Sequence, residues 1–113
     1  MLIIAAILFG FAILIGIAMA TVHFSSARLP PMSLAAIHGL LALAGIVALI
    51  VAITHSGQIG LAVAALLIFA IAALGGFVLF GIHLSRTPLS SPIIVLHGVV
   101  AIVAFLCLIG AMT

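Results

Sequence analysis

The sequence contains no aspartate, no glutamate and no lysine, and two arginines are its only charged side chains among 113 residues. Without a side-chain carboxylate there is no Asp/Glu general base, no carboxylate proton relay and no side-chain calcium or magnesium site. Two separate arginines do not form the row of cations that nucleic-acid phosphates require, so nucleic acid is not an expected partner. The single cysteine, Cys107, cannot form a disulfide within the chain and is expected to be a small packing residue.

Hydrophobic residues make up 70% of the chain, and four long apolar runs hold most of them. The runs are Leu2–Phe24, Ser33–Thr54 with Ser33 as the expected N-cap, Ile59–Leu84 and Ile93–Met112. Each run has about the twenty residues that a helix needs to cross a bilayer, whereas strands would have to close into a barrel. The fold class predicted for residues 1–113 is therefore an all-α membrane protein, a single antiparallel up-down-up-down four-helix bundle.

The two halves of the chain, residues 1–54 and 59–113, resemble each other. At an offset of 60 positions, Phe9, Ala12, Leu14, Gly16, His23 and Ser25 match Phe69, Ala72, Leu74, Gly76, His83 and Ser85. At an offset of 59, His38, Gly39, Ala42, Leu49 and Ile50 match His97, Gly98, Ala101, Leu108 and Ile109. The histidine and His-Gly matches are the informative ones, because apolar residues recur by chance in such helices. The pattern predicts two tandem helical hairpins related by a pseudo-two-fold axis along the membrane normal.

Each predicted helix carries one histidine, and all four histidines lie in the same half of the bundle. We name the membrane side that holds the N-terminus side A and the opposite side B. The B-side histidines are His23, His38, His83 and His97, and the B-side loops carry Arg28 and Arg86. One membrane histidine is ordinarily an interhelical hydrogen-bonding group. Four histidines related by a repeat, with no carboxylate to pair with, indicate a bound group. His55, in the A-side turn, has no counterpart and is assigned no role.

Small residues lie beneath each histidine on its own helix face, toward the membrane centre. They include Gly16 below His23, Ala42 and Gly45 below His38, Gly76 below His83, and Ala101 below His97. Two interpretations remain open: close helix packing through small residues, and space for a flat macrocycle that hangs from the histidines.

One histidine on each of four transmembrane helices resembles the core of b-type membrane cytochromes of the cytochrome b561 kind. The resemblance implies that His23, His38, His83 and His97 ligate haem b iron in bis-histidine fashion and that the protein transfers electrons. Diagonal helices lie about 12–14 Å apart, a gap that iron between two imidazoles spans. The diagonal pairs are His23 with His83 and His38 with His97. Ligation between neighbouring helices and a count of one or two haems also remain open. Arg28 and Arg86 are expected to bind haem propionates, unless they are ordinary loop charges.

Two other functions fit the same residues. In the first, the four imidazoles form a transition-metal site for copper, zinc or iron in a binding or transport protein. In the second, the histidines only bridge the helices of a structural subunit. Whether the protein is an enzyme is left open: an electron carrier is favoured, and a membrane oxidoreductase that acts through haem is the enzymatic alternative.

Partners and location follow from the same features. The lipid bilayer surrounds the bundle, a quinone or a redox protein is the expected electron partner, and the Gly/Ala faces allow a homodimer. We expect a multi-pass protein of a bacterial inner membrane. Because both arginines lie in the B-side loops, the B side is expected to be cytoplasmic.

Overall fold

The computed structural model describes residues 1–113 and consists of four α-helices without strands. The helices are α1 (Leu2–Ser26), α2 (Met32–Ser56), α3 (Leu61–Leu84) and α4 (Ser91–Ala111). Each is long and apolar enough to cross a membrane, and short loops make consecutive helices antiparallel. The predicted all-α, four-helix membrane fold is confirmed.

The helix ends differ from the predicted ends for local reasons. α1 continues past Phe24 to Ser26, and the hydroxyls of Ser25 and Ser26 donate hydrogen bonds to carbonyls one turn earlier. Ser33 is not the N-cap of α2: Pro31 takes that position, and Ser33 lies inside the first turn without a side-chain capping bond. Pro suits a helix start because its ring fixes φ and its missing N–H has no partner to lose.

The turn between α2 and α3 explains why α3 starts later than the apolar run. Gly57 and Gly60 have φ values of 63° and 68°, a left-handed conformation that glycine adopts without a side-chain clash. Gly60 is the N-cap of α3, so Ile59 lies in the turn and the helix begins at Leu61.

The bundle is built from two hairpins. α1 packs chiefly against α2, and α3 chiefly against α4, whereas contacts of α2 with α3 and of α1 with α4 are fewer. α1 and α3 lie on one diagonal of the bundle, and α2 and α4 lie on the other, without close backbone contact. We call the interface between the α1–α2 hairpin and the α3–α4 hairpin the seam.

The two halves of the bundle are packed differently. Apart from His83, every buried helical residue lies in the A-side half of its helix: Ala5, Phe9, Ala12, Gly45, Ala48, Leu49, Ala52, Ala62, Ala65, Phe69, Ala72, Ala104 and Leu108. The rings of Phe9 and Phe69 stack across the seam with centroids 3.6 Å apart and planes 3° from parallel. The A-side half is therefore a sealed core, whereas the B-side half is open.

Large apolar side chains cover the outside of the bundle. Leu40, Leu74 and Phe77 are each about two-thirds exposed, at 67%, 66% and 68%. Such a surface is stable against lipid and unstable in water. Together with the four spans, it makes the chain a multi-pass integral membrane protein.

Candidate functional site

The structure brings two of the four B-side histidines together. His38 on α2 and His97 on α4 approach across the seam with ring centroids 6.0 Å apart and planes at 72°. They form one of the two diagonal pairs expected from the sequence. Each ring comes from a different hairpin, so the distance between them depends on how the hairpins dock.

Each imidazole is oriented by a backbone carbonyl of its own hairpin. The Nδ1 atom of His38 lies 2.7 Å from the carbonyl oxygen of Ala12, and Nδ1 of His97 lies 2.8 Å from that of Ala72. A carbonyl oxygen only accepts hydrogen bonds, so Nδ1 carries the proton in both rings. In the neutral form of such a ring Nε2 keeps its lone pair, and this is a tautomer that metal-bound histidines adopt.

Glycines on the partner helix make room for both rings. A Cβ atom placed on Gly16 would lie 3.1 Å from Cε1 of His38, and one on Gly76 would lie 3.2 Å from Cε1 of His97. Gly75 lies against the same ring, with a Cβ contact of 3.6 Å. Gly16 and Gly76 therefore make room for histidines of the neighbouring helix in the hairpin, His38 and His97. They do not make room for the histidines of their own helices, His23 and His83.

An apolar cavity of about 50 Å³ lies between the histidine pair and the sealed core. Phe9 and Phe69 form its floor, and its walls are mostly alanines: Ala12, Ala42, Ala72, Ala73 and Ala101. Ala42 and Ala101 thus lie where the sequence placed them, beside the histidine pair. Gly45 does not line this cavity, because the ring of Phe9 fills the space above it at 2.9–3.0 Å from a built Cβ.

The separation of the two rings suits a metal between them. Metal–nitrogen bonds of about 2.0–2.1 Å, with ring centres about 1.1 Å beyond each nitrogen, place two imidazole centres about 6.3 Å apart. The observed 6.0 Å is close to that value. The cavity of about 50 Å³ is too small for a porphyrin, since organic ligands occupy pockets of about 300–1,000 Å³. A macrocycle held by this pair would have to extend into the B-side half of the bundle, where His83 is the only buried helical residue.

His23 and His83 do not form a second pair. Nε2 of His23 shares a hydrogen bond of 2.9 Å with the hydroxyl of Ser91 at the start of α4. His83 is buried, with 8% of its surface exposed. No three histidine or cysteine side chains lie close enough to hold one metal ion. The four imidazoles therefore do not converge on a common metal site.

The arginines lie at the B-side mouth of the bundle. Arg28 and Arg86 line a pocket of about 280 Å³ together with His23 and the two B-side loops. His55 is exposed at the end of α2 on the A side, and Cys107 is a partly exposed free thiol on α4.

Two parts of the histidine site were not predicted from the sequence: the carbonyl acceptors of Ala12 and Ala72, and the Phe9–Phe69 floor. A signal for both was present, because Phe9 with Phe69 and Ala12 with Ala72 match at the repeat offset. The chain matches no protein family, no curated protein and no solved structure.

Proposed function

We propose that the protein is a membrane cytochrome that binds haem b, with His38 and His97 as the two iron ligands. One observation carries this proposal: two imidazoles from opposite hairpins lie with ring centroids 6.0 Å apart, each with Nδ1 held by a backbone carbonyl. This separation is close to that of two imidazoles bound to one iron. The sequence resemblance to b-type membrane cytochromes supports the same assignment.

Haem iron with two imidazole ligands supplies one-electron transfer without an open coordination position. The chain's own residues orient the ligands and exclude water. The Ala12 and Ala72 carbonyls fix the ring tautomers, and the glycine contacts fix the ring positions. The Phe9–Phe69 stack closes the site toward the A side. A haem bound here would therefore exchange electrons at the B side, with a quinone or a redox protein as its partner.

Absorption spectra of single-histidine variants test the proposal. The wild-type protein, expressed with ample haem and purified in detergent, should be red, with a sharp α band on reduction. His38→Ala and His97→Ala should each abolish the α band, because one imidazole cannot hold low-spin iron. His55→Ala is the matched control and should keep the full spectrum, since His55 lies at the opposite end of its helix. A colourless wild-type protein, or an α band that survives both ligand variants, would refute haem ligation by this pair.

A second candidate is a site for a single copper ion, which the small cavity favours. A cavity of about 50 Å³ accepts an ion directly, and imidazole is a suitable ligand for copper. Elemental analysis together with a pyridine haemochrome assay separates the two candidates. Stoichiometric copper without porphyrin, lost in His38→Ala, would establish the copper site in place of haem.

We also propose that the B side faces the cytoplasm. Both arginines lie in the B-side loops, whereas the A-side turn has no cation other than a histidine, and positively charged loops are retained on the cytoplasmic side. Both termini would then lie outside. A C-terminal alkaline phosphatase fusion should be active and a C-terminal green fluorescent protein fusion dark, and the reverse result would contradict this orientation.

A further inference from the structure

A second concave site, the B-side pocket, lies outside the histidine pair and has a volume of about 280 Å³. His23, Ala27, Arg28 and Leu29 line it from the first hairpin, and Arg86, Pro88 and Leu89 line it from the second. The pocket thus spans the mouth of the seam and draws one arginine from each B-side loop. Both guanidinium groups are exposed to whatever enters it.

These two positive charges have no counterion in the chain. The sequence contains no aspartate or glutamate. Two arginines that share a pocket repel each other, and an anion between them relieves the repulsion. No side chain of this sequence can supply that anion.

The position and shape of the pocket identify the class of anion. The pocket lies in loops at the end of four membrane spans, which is the level of lipid headgroups. Guanidinium groups bind phosphate oxygens in bidentate pairs, and two arginines supply enough donors for one tetrahedral oxyanion. Leu29, Pro88 and Leu89 form an apolar border suited to the carbon skeleton that carries a headgroup phosphate.

The backbone at Arg86 is a separate observation. Arg86 has a φ of 55°, in the left-handed region that glycine prefers, and it directly follows the C-terminal end of α3 at Ser85. Glycine is the usual residue just past a helix end with this conformation, because it has no Cβ to clash. Ala27, the C-cap of α1, has a similar φ of 52° and lines the same pocket, so a non-glycine residue in this conformation lies on each side of the pocket.

We propose that the B-side pocket binds one phosphate group through Arg28 and Arg86, either the headgroup phosphate of an anionic lipid or free phosphate. The inference is independent of iron ligation, because no iron ligand lines the pocket. The two arginines come from different hairpins, so a phosphate bound to both links the hairpins across the seam. This link lies at the B-side end, where the packing between the hairpins is open.

Two binding measurements test the proposal and separate the two sources of phosphate. The protein is delipidated in a maltoside detergent, which contains no phosphate. Isothermal titration with inorganic phosphate measures binding of the free ion. Native mass spectrometry with phosphatidylglycerol, against diacylglycerol with the same acyl chains, measures binding of a lipid phosphate. Binding in either arm supports the proposal and names the source, and binding in neither arm overturns it.

Arg86→Gly is the decisive variant, because it removes the guanidinium at a backbone position where glycine is the better residue. Its affinity for the bound phosphate species should fall at least tenfold while its helix content and melting temperature are kept. Arg28→Ala should lose a similar factor. Ser85→Ala is the matched control: its hydroxyl bonds the Gly81 carbonyl, it does not line the pocket, and it should bind like the wild type.

Haem propionates are a competing occupant of the same arginines, and the double variant His38→Ala/His97→Ala distinguishes them. This variant lacks the proposed iron ligands and should bind phosphate with wild-type affinity. Phosphate binding that occurs only in the double variant would mean that haem propionates occupy the arginines in the wild type, and it would overturn the proposal. Equal affinity in the wild type and in Arg86→Gly would overturn it as well.

Discussion

The glycine contacts of the histidine pair lead to a sharp prediction. Gly16→Ala and Gly76→Ala each add one methyl group to a helix face, at a point occupied by an imidazole. The new Cβ would lie 3.1 Å from Cε1 of His38 in the first variant and 3.2 Å from Cε1 of His97 in the second. Contacts of 3.0–3.4 Å are tighter than ordinary van der Waals contacts, so each ring must move by a few tenths of an ångström.

The rings have little freedom to make that movement. His38 is fixed by its 2.7 Å hydrogen bond to the Ala12 carbonyl, and a shift that weakens this bond costs about 0.5–1.5 kcal/mol. A metal site tolerates errors in ligand distance of only about 0.2 Å. Loss of a contact that orients a metal ligand typically lowers affinity about 10–100-fold. We therefore expect at least tenfold weaker haem binding in each variant, with the fold intact.

Two other glycines provide matched controls. Gly39 and Gly98 each follow one of the same histidines in the sequence, and a Cβ built on either meets nothing within 4 Å. Gly39→Ala and Gly98→Ala should keep wild-type haem binding and gain up to about 1 kcal/mol of helix stability. Haem titration of the apoprotein, followed at the Soret band, measures the affinity, and thermal unfolding in detergent measures the stability.

The result that would refute the reasoning is equal haem affinity in all four glycine variants. The glycine contacts would then not position the imidazoles. A readout without haem is also available, because ¹⁵N NMR of the histidine rings reports the tautomer. Gly16→Ala should shift the Nδ1 signal of His38 and leave that of His55 unchanged.

Two further predictions concern the sealed A-side half. Gly45→Ala places a Cβ 2.9 Å from Cζ of Phe9 and should destabilise the protein by about 1–3 kcal/mol through overpacking. Gly39→Ala is the control and should not destabilise it. Equal melting temperatures of the two variants would contradict this prediction. Leu108→Ala should lower the free energy of unfolding by about 1–3 kcal/mol, because Leu108 is fully buried. Lipid is as apolar as the core, so most of this loss comes from the cavity that the shorter side chain leaves. Leu106→Ala, at a lipid-facing position that is 64% exposed, is its control, and a loss as large as that of Leu108→Ala would contradict burial as the cause.

The fold could be predicted because run length and hydropathy alone decide which segments span a membrane. The helix ends could not be predicted as well, since they depend on local bonds that hydropathy does not describe. α1 includes Ser25 and Ser26, which lie outside the apolar run, and the positive φ of Gly60 delays α3. Ser33 looked like a capping residue, but Pro31 already starts the helix.

The sequence predicted the histidine set and gave His38 with His97 as one of two diagonal pairs, but it did not predict that only this pair would meet. The repeat treats His23 and His83 as equivalents, yet only His23 has a serine partner across the bundle. The position that matches Ser91 at the offset of 59 is Met32, which carries no hydroxyl. A single difference between the repeats is therefore enough to give two matched histidines different surroundings.

The small residues show a second limit of counting along one helix. Helical steps correctly place Gly16 and Gly45 toward the interior, but they do not say which neighbouring side chain fills the space. The structure fills one with His38 from α2 and the other with Phe9 from α1. Gly16 and Gly45 each receive an aromatic ring of the adjacent helix, which is a form of close helix packing through small residues.

The docking of the two hairpins connects the sealed half to the histidine pair. Each imidazole is anchored inside its own hairpin, His38 on Ala12 and His97 on Ala72, so neither hairpin alone sets the distance between the rings. The Phe9–Phe69 stack joins the two hairpins beside the histidine pair, and it also forms the floor of the cavity. Packing in the A-side half thereby determines the ligand spacing in the B-side half. The open half can then accept a bound group without having to hold the bundle together.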